Sequence, residues 1–486
     1  MGRLDDTLPH PDLLFRTVFT PDFRAVVEQA VAAAADGQTL LTLTTPVNGI
    51  DPLAALEIVG KSAAFRFYWE HPDQQFAISA GEALIRIGTQ NIDRYRTIGS
   101  KIAHWKSKTF SHGSIPHSLN GPHVLGGFAF HDQPQTHHWR TFGNAGFVIP
   151  EWMVVRDGQL TLLTLAALVR STDTADRVEG LFRSRFTELM RLLETMPDGQ
   201  AETDTGGAAF SDDEAAWDDG RDAFRRNVIL ATERIRNGDF QKVVIAREVR
   251  IGLRRPLRIT HMLHHLRTHD PTCRIFLYQL HRNAAFMGAS PERLASFERA
   301  MVLTEGLAGT SPRGRTAIED AHLEKTLLQS AKDLNEHRLV VDAIADRLGQ
   351  YTESVRYPAH PAIRKYRNVQ HLFTPVSAEV PEDTSPLVIL DALHPTPAVG
   401  GHPAPAALRH LQELEQFDRG WFASPLGWLN LNGRGEFCVA IRSGLIEPGR
   451  VRLFAGCGIV NGSDPDTEWT ETQLKLLPMR AALRHG

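Results

Sequence analysis

The sequence predicts an α+β protein in which large, mostly antiparallel β-sheets are flanked by helices. Near the C-terminus, turn signals (NGRG and EPGR) separate the apolar runs GWLNL, EFCVAIRSGLI and VRLFAGCGIV. Strands that are joined by such tight turns pair in an antiparallel manner. A different pattern indicates helices: the apolar residues Phe224, Val228, Ala231 and Ile235 recur at helical spacing.

The predicted elements follow one another in mixed order along the chain. Before residue 196, strands are indicated by LLTLTTPV, FAISAGEALIRIG, VLGGFAF and LTLLTLAAL, and a helix by VEGLFRSRFTELMRLLETM. Residues 242–253 and 274–280 are typical of strands, and the turn HRN leads from the second into another strand, AAFMGAS. Residues 317–349 carry an approximate apolar stripe, which predicts one long helix.

An acidic segment divides the chain into two parts. Residues 197–220 are rich in acidic and small residues and lack apolar periodicity, which predicts a flexible linker. A chain of 486 residues usually exceeds what a single core can hold. We therefore expect an N-terminal α+β region over 1–196 that contributes to the fold, and a second packed region over 221–486.

Composition argues against several classes of protein. The net charge of −4 gives no electrostatic footprint for nucleic acid, and no apolar run approaches the ~20 residues that span a bilayer. The start, MGRLDDTLPHPDLLF, lacks the order of a signal peptide and has Asp6 where myristoylation requires Ser or Thr. The three cysteines, Cys273, Cys438 and Cys457, are widely separated, which predicts reduced thiols in a cytoplasmic protein.

A lysine stands at the start of the strand-like stretch QKVVIARE, residues 241–248. Because side chains alternate between the two faces of a strand, Lys242 shares a face with Val244 and Ala246, while Arg247 points the other way. Edge strands commonly carry lysine as protection against aggregation, and this is the simpler explanation for an isolated lysine. The alternative is an amine that faces a pocket, where burial favours the neutral form that a base requires.

A carboxyl group follows the end of a predicted strand in MGASPERL, residues 287–294. Pro291 fixes the chain there, and Glu292 projects after it. In a cleft, burial would raise the pKa of this carboxyl, so that it could act as an acid near neutral pH. Taken alone, the octapeptide favours a solvated turn in which Glu292 pairs with Arg293.

Two helical segments each place acidic residues on one face. KDLNEHRLVVDAI carries Asp333 and Glu336 three positions apart, and SDPDTEWTETQLKLL carries Glu468, Glu471 and Lys475 at i, i+3 and i+7. Carboxylate oxygens are suitable ligands for Mg²⁺. The simpler interpretations are a solvated helix face and an ion pair between Glu471 and Lys475 worth about 0.3–0.5 kcal/mol.

Further segments are candidates for binding an anion. LTEGLAGTSPRG, residues 303–314, is expected to be a flexible, turn-rich segment with accessible backbone amides, although no Gly-Lys-Ser/Thr follows it. AGCGIV, residues 455–460, lets backbone amides approach a ligand, and Asp464 before Pro465 predicts the N-cap of a following helix. Arg442 lies in the apolar run AIRSGL, where it needs a carboxylate partner from a ligand or from the protein.

The order of these motifs is more specific than any one of them. Together they resemble the motifs of a known family. The series is KVVIAR, GASPERL, EGLAGTSPRG, DLNEHRLVV, LDALHPTPAVGG, RGWFASPLGW, FCVAIRSGLI and AGCGIV followed by SDPDTEWTETQLK. That family is the chorismate-utilising enzymes, which include anthranilate, aminodeoxychorismate, isochorismate and salicylate synthases. The resemblance spans 221–486 almost continuously. The N-terminal part resembles isochorismate synthases more loosely, through FRFYWEHPDQQFAISAGEA, GGFAFH and FVIPEWMV.

The resemblance implies the chorismate-binding fold and the activity of an isochorismate synthase, in which water attacks C2 of chorismate and the C4 hydroxyl leaves. HPTPAVGG, residues 394–401, is the form typical of these enzymes. Ala308 stands where aminodeoxychorismate synthases have lysine, and Lys242 stands where ammonia-using anthranilate synthases have glutamine. The product would serve quinone or siderophore synthesis. The alternatives are a salicylate synthase, which also eliminates pyruvate, and a non-catalytic chorismate-binding subunit.

The resemblance also implies roles for individual residues. Lys242 would be the base and Glu292 the acid, and Glu336 and Glu471 would hold Mg²⁺. The implied substrate-binding residues are Thr310, His394, Arg442, Gly458 and Lys475. We expect chorismate as the small-molecule partner, no nucleic acid, membrane or glutamine amidotransferase partner, and a monomer or homodimer.

Overall fold

The computed structural model describes residues 17–132, 136–194, 209–210 and 220–486. The predicted linker over 197–220 lies outside the described residues, except for 209–210 and Gly220. The N-terminal start, on which the predictions about targeting rest, lies outside them as well.

Helices and strands follow one another in the mixed order that the sequence predicts. The helices are α1 (Pro21–Ala33), α2 (Pro52–Ile58), α3 (Arg94–Ser107), α4 (Ala175–Glu194), α5 (Arg221–Arg236), α6 (Ile259–His269), α7 (Ala317–Gln329), α8 (Ala331–Leu348), α9 (Pro386–Leu393), α10 (Ala404–Leu414) and α11 (Pro465–Leu483). The strands are β1 (Thr39–Pro46), β2 (Arg66–His71), β3 (Phe76–Thr89), β4 (Thr109–Gly113), β5 (His123–Phe128), β6 (Ala145–Asp157), β7 (Leu160–Val169), β8 (Lys242–Gly252), β9 (Arg274–His281), β10 (Ala284–Ser290), β11 (Arg293–Glu298), β12 (Met301–Pro312), β13 (Val355–Arg356), β14 (Ala362–Lys365), β15 (Val369–Glu379), β16 (Gly401–His402), β17 (Pro425–Asn430), β18 (Gly435–Val439), β19 (Ser443–Glu447) and β20 (Arg450–Ile459). None of these helices combines the length and the apolar character that crossing a membrane requires.

The strands form one hydrogen-bonded network in which two long limbs and a shorter branch, β6–β7–β1–β4, meet at β6. The first limb runs β6–β3–β2–β9–β10–β19–β20–β8. The second limb runs β6–β5–β17–β18–β11–β12–β15. Within the described residues, every pairing is antiparallel except that of β1 with β4. The predicted α+β class with large antiparallel sheets is therefore confirmed.

Strands from both sides of the acidic segment pair directly with each other. β2 lies beside β9, and β5 lies beside β17. The indole N–H of Trp421, which is fully buried, donates to the carbonyl oxygen of Gly143 at 2.9 Å. Phe76 stacks on Trp428 with ring centroids 5.3 Å apart. Contacts of this kind hold the two parts of the chain in one sheet. The division into a region 1–196 and a region 221–486 stays a prediction.

The prediction of a single helix over 317–349 is wrong in one respect. The structure has two helices there, α7 and α8, which are separated at Ser330. Ser330 has an extended backbone with φ −72° and ψ 109°, and its hydroxyl accepts a hydrogen bond from the amide of Asp333. A serine in this position competes with the helix for backbone donors, so it ends one helix and caps the next.

Two segments near the centre of the fold also differ from expectation. Residues 303–314 were expected to form a flexible, turn-rich segment, but most of them belong to strand β12, which pairs along its length with β15. Gly309, with φ +77°, provides the local irregularity in that pairing. Arg442 does not lie within a strand: it lies between β18 and β19 with φ +52°. A non-glycine residue in this conformation costs of the order of 1–3 kcal/mol and is typical of functional sites.

Close contact between β17 and β18 leads to a test of the packing. A Cβ atom on Gly427 would overlap the carbonyl oxygen of Glu436 and lie 2.7 Å from the Cα atom of Phe437. We expect Gly427→Ala to lower the free energy of unfolding by about 1–3 kcal/mol, measured by chemical denaturation. Gly252→Ala is the matched control, because a Cβ atom there meets nothing within 4 Å. Equal stability of the two variants would contradict the prediction.

Candidate active site

One cavity brings together eight of the nine residues predicted as functional. These are Lys242, Glu292, Thr310, Glu336, Arg442, Gly458, Glu471 and Lys475. The cavity lies where the two limbs of the sheet approach each other: β8 and β20 belong to the first limb and β12 to the second. The empty space between the lining residues, including the open mouth, is about 720 Å³.

Lys242 faces the cavity from the first position of β8. Val244 and Ala246 line the same cavity, as the alternation of side chains along the strand predicts. Lys242 is only 1% exposed, and its Nζ atom forms an ion pair of 2.8 Å with Oε1 of Glu336. The interpretation of Lys242 as an exposed edge-strand lysine is therefore wrong.

Gly458 leaves room for this ion pair. A Cβ atom at position 458 would lie 2.6 Å from Oε1 of Glu336 and 2.8 Å from Cε of Lys242. These contacts are shorter than van der Waals packing allows, so any larger residue would displace one partner of the pair. The requirement for glycine is thus steric and comes from the facing strand and helix.

Glu292 lies between β10 and β11 and is 4% exposed. Its backbone is fixed on both sides, because its amide donates to Oγ of Ser290 at 3.2 Å and its carbonyl oxygen accepts from the amide of Val439 at 3.1 Å. Burial, followed by the charge of Glu305, raises the pKa of Glu292 to about 8, although nearby cations act in the opposite direction. The carboxyl group therefore carries a proton at neutral pH, and the interpretation as a solvated turn is wrong.

Helix α11 contributes a second ion pair at the cavity wall. Lys475 and Glu471, one helical turn apart, are joined by a 2.6 Å contact, and Lys475 Nζ also donates to the carbonyl oxygen of Gly456 at 2.9 Å. Burial opposes the charge on Lys475, but the Glu471 carboxylate outweighs burial and raises the pKa of the amine. Asp464 caps this helix by accepting from the amide of Thr467, as the sequence predicts.

Acidic side chains from α8 and α11 are concentrated beside the cavity. Burial, followed by repulsion from Glu471, raises the pKa of Glu468, which is 3% exposed and pairs with Lys332. Burial also raises the pKa of Asp333, and Glu336 adds to this effect. Crowded carboxylates of this kind favour the approach of a cation.

The donor set is compatible with Mg²⁺. In the described part of the chain, no three or more His, Cys, Asp or Glu side chains form a ready metal cluster. Mg²⁺, however, is usually bound by one or two carboxylates that are completed by water and substrate oxygens. Glu336 and Glu471 both line the cavity and supply hard oxygen donors, so the residues present fit this ion.

Arg442 is buried with unused hydrogen-bonding capacity. It is 7% exposed, and its Nε atom has no hydrogen-bond partner among the described residues. Its Nη2 atom donates to Nε2 of His371 at 3.4 Å. A buried guanidinium with a free donor is well suited to a carboxylate ligand.

His371 is a cavity residue that sequence reasoning missed. It lies on β15 directly opposite Thr310 of β12, and the two side chains are 3.2 Å apart. Burial, followed by the charges of Arg442 and Lys475, lowers the pKa of His371 well below its usual value, so the ring is neutral. Only the pairing of β12 with β15 could have revealed this position, because no local pattern distinguishes the histidine.

His394 does not line the cavity, contrary to its predicted contact with the substrate. Its Nε2 atom is 3.2 Å from the carbonyl oxygen of Ala423, a residue that does line the cavity. Its Nδ1 atom is 3.4 Å from the hydroxyl of Tyr95, in the N-terminal part of the chain. His394 thus supports the wall from behind and connects it to the N-terminal region.

Comparison with known proteins agrees with this picture. The profile of the family described as chorismate binding enzyme matches residues 25–484. The chain is 35% identical over 465 residues to the salicylate biosynthesis isochorismate synthase of Pseudomonas aeruginosa, covering 95% of this chain and 94% of the relative. It is 33% identical over 452 residues to the isochorismate synthase MenF of Bacillus subtilis, covering 91% of this chain and 93% of the relative.

Solved structures show the same fold. The menaquinone-specific isochorismate synthase MenF of Escherichia coli superimposes with a TM-score of 0.74 at 25% identity, covering 94% of this chain and 100% of the other. Anthranilate synthase component I of Streptococcus pneumoniae superimposes with a TM-score of 0.64 at 22% identity, covering 84% of this chain and 92% of the other. The family profile and the two long alignments together establish that this chain belongs to the chorismate-binding enzymes.

Proposed function

We propose that the protein is an isochorismate synthase, which converts chorismate into isochorismate with the help of Mg²⁺. Relatives that carry this name share 33% and 35% of their residues with the chain over more than nine-tenths of its length. The observation that carries the proposal is the meeting of a buried amine, Lys242, and a buried, protonated carboxyl, Glu292, at one cavity.

The cavity offers separate partners for the two carboxylates of chorismate. Arg442, with its free Nε donor, is suited to the carboxylate of the enolpyruvyl group, and Gly458, whose neighbouring backbone amides are proposed to assist, lines the same cavity. Lys475 supplies a second positive charge, and the hydroxyl of Thr310 supplies a donor beside His371. A ligand with two anionic groups is therefore matched better than one with a single charge.

Glu336 and Glu471 are the proposed ligands of the metal ion. Bound Mg²⁺ supplies neutralising charge for the ring carboxylate of the substrate. Glu336 is also the partner of Lys242 in an ion pair of 2.8 Å. Lys242 can therefore act as a base only when the Glu336 carboxylate is engaged elsewhere.

Lys242 and Glu292 have different roles in the proposed reaction. Lys242 removes a proton from the water molecule that attacks C2, and Glu292 gives its proton to the hydroxyl group that leaves C4. The double bonds of the ring shift between these two positions, so one hydroxyl is exchanged for another without change in oxidation state. An acid with a pKa near 8 is suited to this task at neutral pH.

The lining of the cavity supports water as the nucleophile. Ala308, which stands where aminodeoxychorismate synthases have lysine, lines the cavity with a methyl group only. The neighbouring wall is apolar and includes Leu307, Phe422 and Ile441. Ala308 and these apolar neighbours therefore contribute no side-chain amine that could attack C2.

We also propose a cytoplasmic enzyme that works without a glutamine amidotransferase, as a monomer or homodimer. Cys273, Cys438 and Cys457 are all free and buried, which suits a reducing compartment. A water nucleophile removes the need for a subunit that delivers ammonia.

The proposed function can be tested by identifying the product. We expect purified protein with Mg²⁺ to convert chorismate into isochorismate, detected by chromatography. Lys242→Ala should slow turnover by about 10²–10⁴-fold, because the base is lost. Lys106→Ala, which removes an exposed lysine, is the matched control. Salicylate with pyruvate would identify a salicylate synthase instead, and bound but unchanged chorismate would identify a non-catalytic binding protein.

The raised pKa of Glu292 predicts a pH dependence. The acid must hold its proton to donate it, so kcat/KM should stay level through neutral pH and fall as the pH rises through about 8. Glu292→Gln should be nearly inactive and should lack this alkaline limb. A profile for the unmodified enzyme that continues to rise well above pH 8 would contradict the assignment of Glu292.

Metal binding can be separated from turnover in an inactive background. In a Lys242→Ala enzyme with chorismate present, we expect Glu336→Gln to weaken Mg²⁺ binding at least about tenfold, as measured by calorimetry, because even residues behind a metal ligand contribute that much. The exposed Glu382 provides the control variant Glu382→Gln. If the two variants bind Mg²⁺ equally well, Glu336 is not a ligand.

A further inference from the structure

Glu305 is a buried acid beside the cavity that the proposed reaction does not use. It lies on β12 and is 3% exposed. One carboxylate oxygen, Oε1, accepts a hydrogen bond of 2.9 Å from the amide of Arg293, and the other, Oε2, accepts from Nη1 of Arg364 at 2.9 Å. The guanidinium of Arg364 lies over the ring of Phe373, 3.4 Å from its centroid. Glu305 is therefore fixed at both oxygens.

These contacts place the carboxylate directly behind the acid Glu292. The amide that Glu305 accepts from belongs to the peptide group that follows Glu292 in the chain. The preceding peptide is fixed as well, because the hydroxyl of Tyr366 donates to the carbonyl oxygen of Pro291 at 2.7 Å. The backbone on both sides of Glu292 is thus held by side chains from β12 and from the segment before β15.

The charges that face Glu292 come from four different elements. Lys242 on β8, Lys475 on α11 and Arg442 before β19 all favour loss of its proton. Glu305 on β12 opposes them. The proposed reaction needs those cations for the substrate and the water, and it also needs a protonated Glu292 in their midst. Burial of the carboxyl and the negative charge of Glu305 both act against these cations and favour the protonated form of Glu292.

We propose that Glu305 is a positioning residue that fixes the peptide after Glu292 and offsets the surrounding cations, so that Glu292 enters the reaction with its proton. This inference rests on the proposed function, because it assigns Glu305 a place in the same acid–base pair. The competing explanation is a purely structural ion pair with Arg364. A structural pair would change stability when it is broken but would leave the pH profile in place.

The pH profile separates these two explanations. In Glu305→Gln, only burial still opposes the cations that surround Glu292, so its proton is lost more readily. We expect the alkaline limb of kcat/KM to move to lower pH by about one unit. Glu305→Asp keeps the charge and should restore a limb close to that of the unmodified enzyme. Glu298→Gln, at an exposed position on the neighbouring strand, should leave the limb in place.

A spectroscopic titration keeps this test independent of turnover. The protonated carboxyl of Glu292 is identified by infrared difference spectra against Glu292→Gln, and its titration midpoint should be lower in Glu305→Gln than in the unmodified protein. Equal midpoints, or an alkaline limb that does not move, would overturn the role of Glu305. Failure of the unmodified protein to convert chorismate would overturn the proposed function instead, whatever the midpoints show.

Discussion

The ion pair between Lys242 and Glu336 is the contact on which the cavity depends. Removing a lysine from water costs several kcal/mol unless a partner compensates its charge. The two residues are 94 positions apart, and strand β8 and helix α8 must be brought together before they can meet at 2.8 Å. Gly458 on β20 completes the arrangement, because its missing side chain leaves the space that the pair occupies. The buried ion pair thus requires the pairing of β8 with β20, the position of α8 and a glycine at position 458.

The remaining charges reach the cavity from several different elements. The lysines and most carboxylates lie on β8, α8 and α11, whereas Glu292 lies beyond β10 and leads into β11, beside β12. The limbs also pack against each other away from β6, because Phe76 of β3 stacks on Trp428 of β17 and Arg274 of β9 pairs with Glu436 of β18. Packing of the two limbs is therefore what brings an amine and a carboxyl group to one cavity.

The N-terminal part of the chain takes part in the site through packing. His394 connects Ala423, on the cavity wall, with Tyr95 of α3. Arg419, which is 1% exposed, lies over the ring of Phe130 and donates to the carbonyl oxygen of Val244 on β8. These contacts make the position of β8 sensitive to the N-terminal region, although the residues proposed for chemistry all belong to the part after 220.

The sequence alone determined the elements that depend on local chemistry. Alternation along β8 placed Lys242, Val244 and Ala246 on one face, and Asp464 before Pro465 identified the start of α11. The ordered motifs identified the family, and eight of the nine residues that they named line the cavity. Only the tertiary structure decided the break at Ser330, the strand character of β12, the exclusion of His394 from the cavity and the inclusion of His371 and Glu305 near it. The physical reason is that alternation and capping depend on neighbours in the chain, whereas burial and charge compensation depend on partners that only strand pairing brings together.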